Sequence, residues 1–362
     1  MEVNSVAGET KAKVIQLQAN SERHAARARR AEARADAGRR HPSSLTNGAP
    51  VHDPAETAAV IHDLNEIRAA QGNAHVGDEE SLTALAANIA AVAEFIRRRV
   101  GGDYSVDDFG FDEHLNESLL LPLLRPLFNR WFRVDVTGVE NIPATGGALV
   151  VANHAGVLPL DGLMLSVAVH DRCPGNRTLR NLAADMVFDA PFLGQLARKA
   201  GHTLACTADA HRLLSGGELT AVFPEGYKGL GKPFKDRYKL QRFGRGGFVA
   251  AAIRTGAPIV PCSIVGAEEI YPMIADLKVI ARLFGLPYFP VTPLFPAAGP
   301  VGLVPLPSKW HIEFGTPIPT DGYDEAAADD PMVTFEVTDQ VRETIQQTLY
   351  RLLAGRRNMF FG

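Results

Sequence analysis

The stretch Val150-Val151-Ala152-Asn153-His154-Ala155-Gly156-Val157-Leu158-Pro159-Leu160-Asp161 decides how this chain is read. The apolar run over residues 147–152 is short and dominated by small and β-branched residues, which predicts a buried strand. It stops at Asn153-His154, where a loop containing Gly156 and Pro159 takes over. Asp161 then stands ahead of the apolar run 162–169, the place of a helix N-cap. A histidine is thus presented at a strand end, with a carboxylate a few residues on that can turn back to it. Such a pair fixes the ring tautomer and supports an imidazolium formed during proton abstraction. Taken alone, a histidine at a strand end also fits a structural hydrogen bond, and an aspartate before a helix also fits a plain cap. The surrounding sequence has to choose between these.

The chain has 362 residues, enough for one large domain or two ordinary ones. Hydrophobic residues make up 46% and charged residues 22%, the balance of a soluble globular protein rather than a disordered one. A formal net charge of −4 carries no basic excess, which argues against a nucleic-acid partner. Cys173, Cys206 and Cys262 are far apart and lack metal-ligand spacing, so neither a zinc site nor a disulfide framework is expected. The first 30 residues have no continuous apolar core, and no apolar run reaches the length of about 18 residues needed to cross a bilayer. The expectation is a cytoplasmic protein associated peripherally with the inner face of the membrane, touching lipid without spanning it.

Residues 1–50 are rich in Ala, Arg and Glu. From Met1 to His41 there are nine Lys/Arg against five Asp/Glu, and few large apolar side chains. Such a segment buries too little surface to offset its ordering entropy, so a disordered basic arm is expected. Residues 51–131 form a helical accessory region. Helical periodicity runs over 54–71, and again over 81–100, where Ser81 fits an N-cap and Gly101-Gly102 a stop. The apolar stretch 115–132 is broken by Pro122 and Pro126 and carries Arg125, Arg130 and Arg133 beside Trp131 and Phe132. It fits either a helix lying in a membrane interface or one packed on the core.

From residue 132 to 362 the pattern is α/β. Strands are predicted at 133–137, 147–152, 178–183, 202–206, 218–223, 258–264 and 310–314. Helices are predicted at 162–170, 191–199, 208–214, 247–255 and 333–353. This alternation predicts a sheet covered by helices on both faces. Between 280 and 307 the chain is too rich in proline for ordinary helix or strand. Its Phe, Tyr and Leu content suits a covering loop or a hydrophobic lip facing lipid.

A second block, Phe223-Pro224-Glu225-Gly226-Tyr227-Lys228-Gly229-Leu230-Gly231-Lys232, follows another apolar strand. Gly226, Gly229 and Gly231 permit close backbone approach to a ligand. Lys228, Lys232, Lys235, Arg237, Lys239, Arg242 and Arg245 crowd the loop and its continuation, a density that suits an anionic ligand as well as a solvated surface. The spacing is not that of a P-loop. A third block, Gly256-Ala257-Pro258-Ile259-Val260-Pro261, reads as a turn and a core strand.

In this order the three blocks resemble the glycerolipid acyltransferase superfamily, the PlsC-like lysophospholipid acyltransferases. The resemblance covers about residues 132–319. Asn153, His154 and Asp161 match the family's first block, and Phe223-Pro224-Glu225-Gly226 matches its glutamate block without change. Gly256 to Pro261 matches its late strand, while the block expected near Gly201 is poorly matched. The aspartate lies seven positions after the histidine instead of the usual five. The resulting His-x-Gly-x-x-Pro-x-Asp is similar to the branch related to monoacylglycerol and diacylglycerol acyltransferases. Tyr227-Lys228 stands where members with phosphorylated acceptors carry Thr/Ser-Arg, and lysine lacks the bidentate fork of arginine.

The resemblance implies an α/β fold, a mixed sheet flanked by helices with an N-terminal helical extension. It also implies an enzyme that moves a fatty acyl group from acyl-CoA or acyl carrier protein to a hydroxyl of a glycerolipid or lysophospholipid. In that reading His154 is the general base and Asp161 its partner. Asn153, Glu225, Gly226, Lys228, Lys232 and Arg237 bind substrate, and no cofactor or metal is called for beyond the acyl donor. Two other readings stay open: an acyl-thioester hydrolase on the same site, and a lipid-binding protein whose site has decayed.

Overall fold

The structure is a computed structural model that describes residues 104–190, 192–244 and 246–362, with residues 97, 101 and 102 ahead of them. The expected arm at 1–50 and the helix at 54–71 lie outside the described residues, as does all of the second helix except Arg97, which is helical.

A seven-stranded sheet organises the fold. Its strands are β1 (Asp135–Thr137), β2 (Ala148–Ala152), β3 (Leu179–Ala183), β4 (Thr203–Leu204), β5 (Leu219–Val222), β6 (Ile259–Val265) and β9 (His311–Phe314), in the order β1-β9-β6-β2-β5-β3-β4. Neighbours from β6 to β4 run parallel, whereas β9 pairs antiparallel with β6 and parallel with β1, which makes the sheet mixed. All seven strands predicted from the sequence are present, most of them shorter by a residue or two at an end.

The helices are α2 (Leu160–Arg172), α3 (Asp185–Asp189), α4 (Leu193–Lys199), α5 (Thr207–Ser215), α6 (Tyr227–Leu230), α7 (Gly247–Thr255), α8 (Lys278–Leu283) and α9 (Pro331–Gly355). Ahead of them, the consecutive segments Glu113–Leu115, Asn116–Leu120, Leu121–Pro126 and Leu127–Trp131 form α1. Pro122 and Pro126 do not end this helix. Two of its segments, Asn116–Leu120 and Leu127–Trp131, are wound as π-helix, the looser winding that lets a helix continue around a ring with no N–H to donate.

The central strand β2 shows why both faces need cover. Ala148, Val150 and Ala152 enter one core with α2 and with Phe128 and Phe132 of the α1 region, while Leu149 and Val151 enter a second core with α5, α7 and α9. Alternate residues of a strand point to opposite faces, so a strand buried on both reads as an unbroken apolar run. Phe132 stacks on Trp310 with ring centroids 4.6 Å apart, and both are fully buried. The stretch 115–132 therefore packs on the core, and Arg125 clamps it to α2 through a bidentate pair with Asp171.

Among the described residues no helix is long and apolar enough to cross a membrane. The proline-rich stretch between β6 and β9 is more ordered than its composition suggests. It holds α8, a 3-10 turn at Gly299–Leu303, and a two-stranded ladder between β7 (Ala275–Asp276) and β8 (Pro290–Val291).

Candidate active site

Three adjacent parallel strands, β6, β2 and β5, release their chains at the same edge of the sheet. Asn153-His154 follows β2, Phe223-Pro224-Glu225 follows β5, and Gly266 to Glu269 follows β6. Loops at the carboxyl ends of parallel strands are where open α/β sheets place ligands. These three segments, about 70 and 40 residues apart along a chain whose crossovers are this short, become neighbours in space.

At the centre, His154 Nδ1 lies 2.7 Å from Asp161 Oδ2. The same oxygen accepts the backbone N–H of Ala155 at 2.8 Å, and Oδ1 accepts that of Gly162 at 2.8 Å. Asp161 is fully buried, while the His154 side chain keeps 11% of its surface open. The carboxylate is thus held by backbone donors and one ring nitrogen. A ring that donates from Nδ1 to a carboxylate keeps its lone pair on Nε2, the nitrogen able to take a proton. Asp161 does not cap α2, as the sequence suggested. The N-cap position belongs to Pro159, and Asp161 sits inside the first turn with its carboxylate turned back to the loop. The loop from His154 to Asp161 makes a tight bend in which Val157, a β-branched residue, has φ 45°. Such a conformation costs on the order of 1–3 kcal/mol and persists only where neighbours hold it. Here the Tyr288 hydroxyl donates to the Val157 carbonyl, and the Val157 N–H donates to Leu230 O at 3.3 Å. Phe223 covers the ring of His154, with centroids 4.5 Å apart.

The remaining expected residues divide into two groups. Asn153, Glu225 and Lys232 are brought to the site but face inward. Asn153 spends its side-chain amide on the backbone of Ile264, donating from Nδ2 at 3.0 Å and accepting at Oδ1 at 2.7 Å, and so ties the end of β2 to β6. Glu225 accepts the backbone N–H of His154 at 3.0 Å and that of Gln241 at 2.6 Å. Lys232 lies 3.5 Å from Glu225 and 3.0 Å from Glu268, with 2% of its side chain exposed. A buried ammonium held between two carboxylates is an internal counter-ion rather than a site for a substrate's negative charge. The three side chains expected to bind substrate thus make internal contacts in this structure.

Gly226, Lys228 and Arg237 are exposed. Gly226 has φ 55° and open space where a side chain would begin, so it presents bare backbone. Lys228 lines a cleft of about 280 Å³ together with Tyr227, Asp236, Gln241, Asp276 and Tyr288. Arg237 lies over the ring of Phe234 at 4.5 Å and donates to its carbonyl, so its guanidinium is partly occupied.

Sequence reasoning missed two groups. Glu268 and Glu269 follow β6, beyond the late block, whose sequence reads as a turn and a core strand. Burial pushes the Glu268 carboxyl up to about 7 against the pull of Lys232. Glu269 accepts from the Tyr238 hydroxyl at 2.8 Å and from the Arg356 guanidinium at 2.6 Å, anchoring the end of α9 to the site's floor. Tyr288 was seen only as part of a proline-rich segment. The signal for the first group was Gly266-Ala267-Glu268-Glu269, a pair of carboxylates directly after a fully apolar strand.

An acyltransferase family model matches residues 133–265, the span that carries β1 to β6 and both halves of the dyad. An uncharacterized protein of Mycobacterium tuberculosis is 67% identical over 360 residues, covering 99% of this chain and 100% of its own length. The Bos taurus protein named "DGAT1/2-independent enzyme synthesizing storage lipids" is 25% identical over 224 residues, 60% of this chain and 59% of its own. The crystal structure of a 1-acyl-sn-glycerophosphate acyltransferase, PlsC, from Thermotoga maritima aligns with TM-score 0.43 and 21% identity, over 66% of this chain and 80% of that one. The chain therefore carries an acyltransferase domain over residues 133–265.

Proposed function

We propose that the protein transfers a fatty acyl group from an acyl thioester, acyl-CoA or acyl carrier protein, to a hydroxyl of a glycerolipid. The observation that carries this reading is the 2.7 Å contact between His154 Nδ1 and the buried Asp161 carboxylate. His154 Nε2 takes the proton of the acceptor hydroxyl as the oxygen attacks the thioester carbonyl. Asp161 orients the ring and stabilises its charged form, and collapse of the tetrahedral intermediate expels the thiolate, which takes the proton back from the imidazolium. Glu225 acts through the backbone: it fixes the position of His154 rather than holding a substrate.

The acceptor enters beside Lys228 and Tyr288. In the cleft Lys228 is set against Asp236 and Asp276, and Lys232 is already neutralised by Glu225 and Glu268. That balance supports an uncharged acceptor, such as a mono- or diacylglycerol, over a phosphomonoester, which would need spare positive charge. The test is transfer from labelled acyl-CoA to a panel of acceptors with and without a phosphate. Product with the uncharged lipids that vanishes in His154→Ala supports the proposal. Release of free fatty acid at a rate that no acceptor diminishes would mean hydrolysis instead.

A further inference from the structure

From Leu277 to Pro307 the chain contains no acidic residue, and its only charges are Lys278 and Arg282, both exposed. Around them large apolar side chains face outward. Val279 and Leu283, 81% and 80% exposed, stand one turn apart on α8. Phe284 and Leu286 are exposed beyond the helix, and Val301, Leu303 and Val304 are exposed on the second limb of the excursion. Single exposed aliphatic residues need no explanation, but a run of them marks a contact surface.

These side chains are not outside because the segment is loose. The β7–β8 ladder, the Leu277 N–H donating to Phe289 O at 2.9 Å and the Phe289 N–H donating to Asp276 Oδ1 at 2.9 Å fix the first limb. The Tyr271 hydroxyl, donating to Leu303 O at 2.5 Å, fixes the second. The backbone spends its hydrogen bonds internally and presents the apolar chains.

We propose that residues 277–304 seat on a lipid surface bearing anionic headgroups. The aliphatic and aromatic chains enter the headgroup–acyl boundary, and Lys278 and Arg282 meet the phosphates. The charge pattern selects this occupant: two exposed cations on a stretch without acidic residues, among exposed apolar chains, complement an anionic bilayer. The same excursion carries Tyr288, which both lines the cleft and bonds the loop of His154. A lipid acceptor leaving the bilayer at this edge would reach the dyad without crossing water; the nature of that cargo, though not the docking itself, rests on the acyl-transfer reading.

The test uses the full chain and sedimentation with phosphatidylcholine vesicles, with and without phosphatidylglycerol. The triple variant Val279→Ser, Leu283→Ser, Phe284→Ser is expected to lower partition onto both by about tenfold or more. The pair Lys278→Gln, Arg282→Gln is expected to remove only the preference for phosphatidylglycerol. Transfer to a short-chain, monomeric acceptor should stay within about twofold of the parent, because none of these side chains is part of the dyad or the cleft. Unchanged vesicle binding by the triple variant overturns the proposal. So does a fall in its melting temperature, which would show the patch covered by the chain itself, or a dimer that the variant turns to monomer, which would show it covered by a second copy. Vesicle binding that behaves as expected while no acceptor is ever acylated would sink the enzymatic reading and leave the docking surface standing.

Discussion

Glu225 Oε1 accepts the backbone N–H of His154 at 3.0 Å, so the carboxylate of the second sequence block positions the histidine of the first. The two blocks are thus parts of one hydrogen-bonded unit, in which Asp161 sets the ring and Glu225 sets the backbone that carries it.

His154→Ala should lower kcat by about 10²- to 10⁴-fold with the melting temperature little changed, since it removes the ring proposed to accept the proton from a largely packed but still open position. Asp161→Asn should approach that loss in kcat and also cost about 1–3 kcal/mol of stability, because its two oxygens together accept two backbone N–H groups and the ring nitrogen. Steady-state kinetics and thermal unfolding on the same preparations check both.

Lys232 and Lys228 should behave oppositely although they lie only four positions apart. Lys232→Met leaves Glu225 and Glu268 without their shared cation and should destabilise the protein by about 3–5 kcal/mol. Lys228→Met, at the exposed rim of the cleft, should stay within about 0.5 kcal/mol of the parent and change KM more than folding. Denaturant titrations of the pair decide. Equal stability of the two variants would remove the internal counter-ion role assigned to Lys232.

A methyl group at Gly229 would lie 2.6 Å from the His154 carbonyl oxygen and 2.9 Å from its Cβ. Gly229→Ala should therefore push the histidine off its position. The expected result is a loss of about 1–3 kcal/mol in stability, with a kcat loss larger than any change in KM. Ordinary kinetics with normal melting would show that the loop yields freely.

Glu268 gives a pH signature. Its carboxyl is raised from 4.5 to about 7, chiefly by burial, so across that window the folded protein keeps a proton that the unfolded chain has released. This contribution to stability is complete below 4.5 and is lost as pH rises through about 7. Replacing it with glutamine, neutral at every pH, should flatten the decline in melting temperature between pH 5 and pH 8. A slope identical to the parent's would assign the decline to other groups.

The fold was legible because its signals are local. Strand β2 is an apolar run ended by Asn153, and α7 begins and ends at glycines in left-handed conformation, Gly246 and Gly256. The contact between His154 and Asp161 could be anticipated because the two residues are only seven positions apart. The inward-facing roles could not, because they depend on partners far along the chain. Asn153 looks like a free amide until Ile264 of β6 is placed beside it, and Glu225 looks like a ligand to substrate until His154 takes one oxygen and Gln241 the other. Lys232 was counted with a run of cations because sequence shows charge but not burial. Pro122 and Pro126 interrupt the apolar stretch 115–132 in sequence, but the choice between a helix on the core and one in a membrane interface depends on Trp310, far along the chain, on which Phe132 stacks.

Val265 and His311 face each other across β6 and β9, so the excursion from 266 to 310 leaves and re-enters the sheet at one point. Its ends are joined by the ladder whatever lies between them, and each doubling of such a loop costs only about 0.6 kcal/mol of closure entropy. The segment that carries Tyr288 and the apolar surface is thus an exchangeable cassette. Exchanging only the part beyond Glu269 and short of Ser308 for that of a relative, with Tyr288 kept, would change the surface the protein presents while β6, β9 and the contact between His154 and Asp161 stay in place.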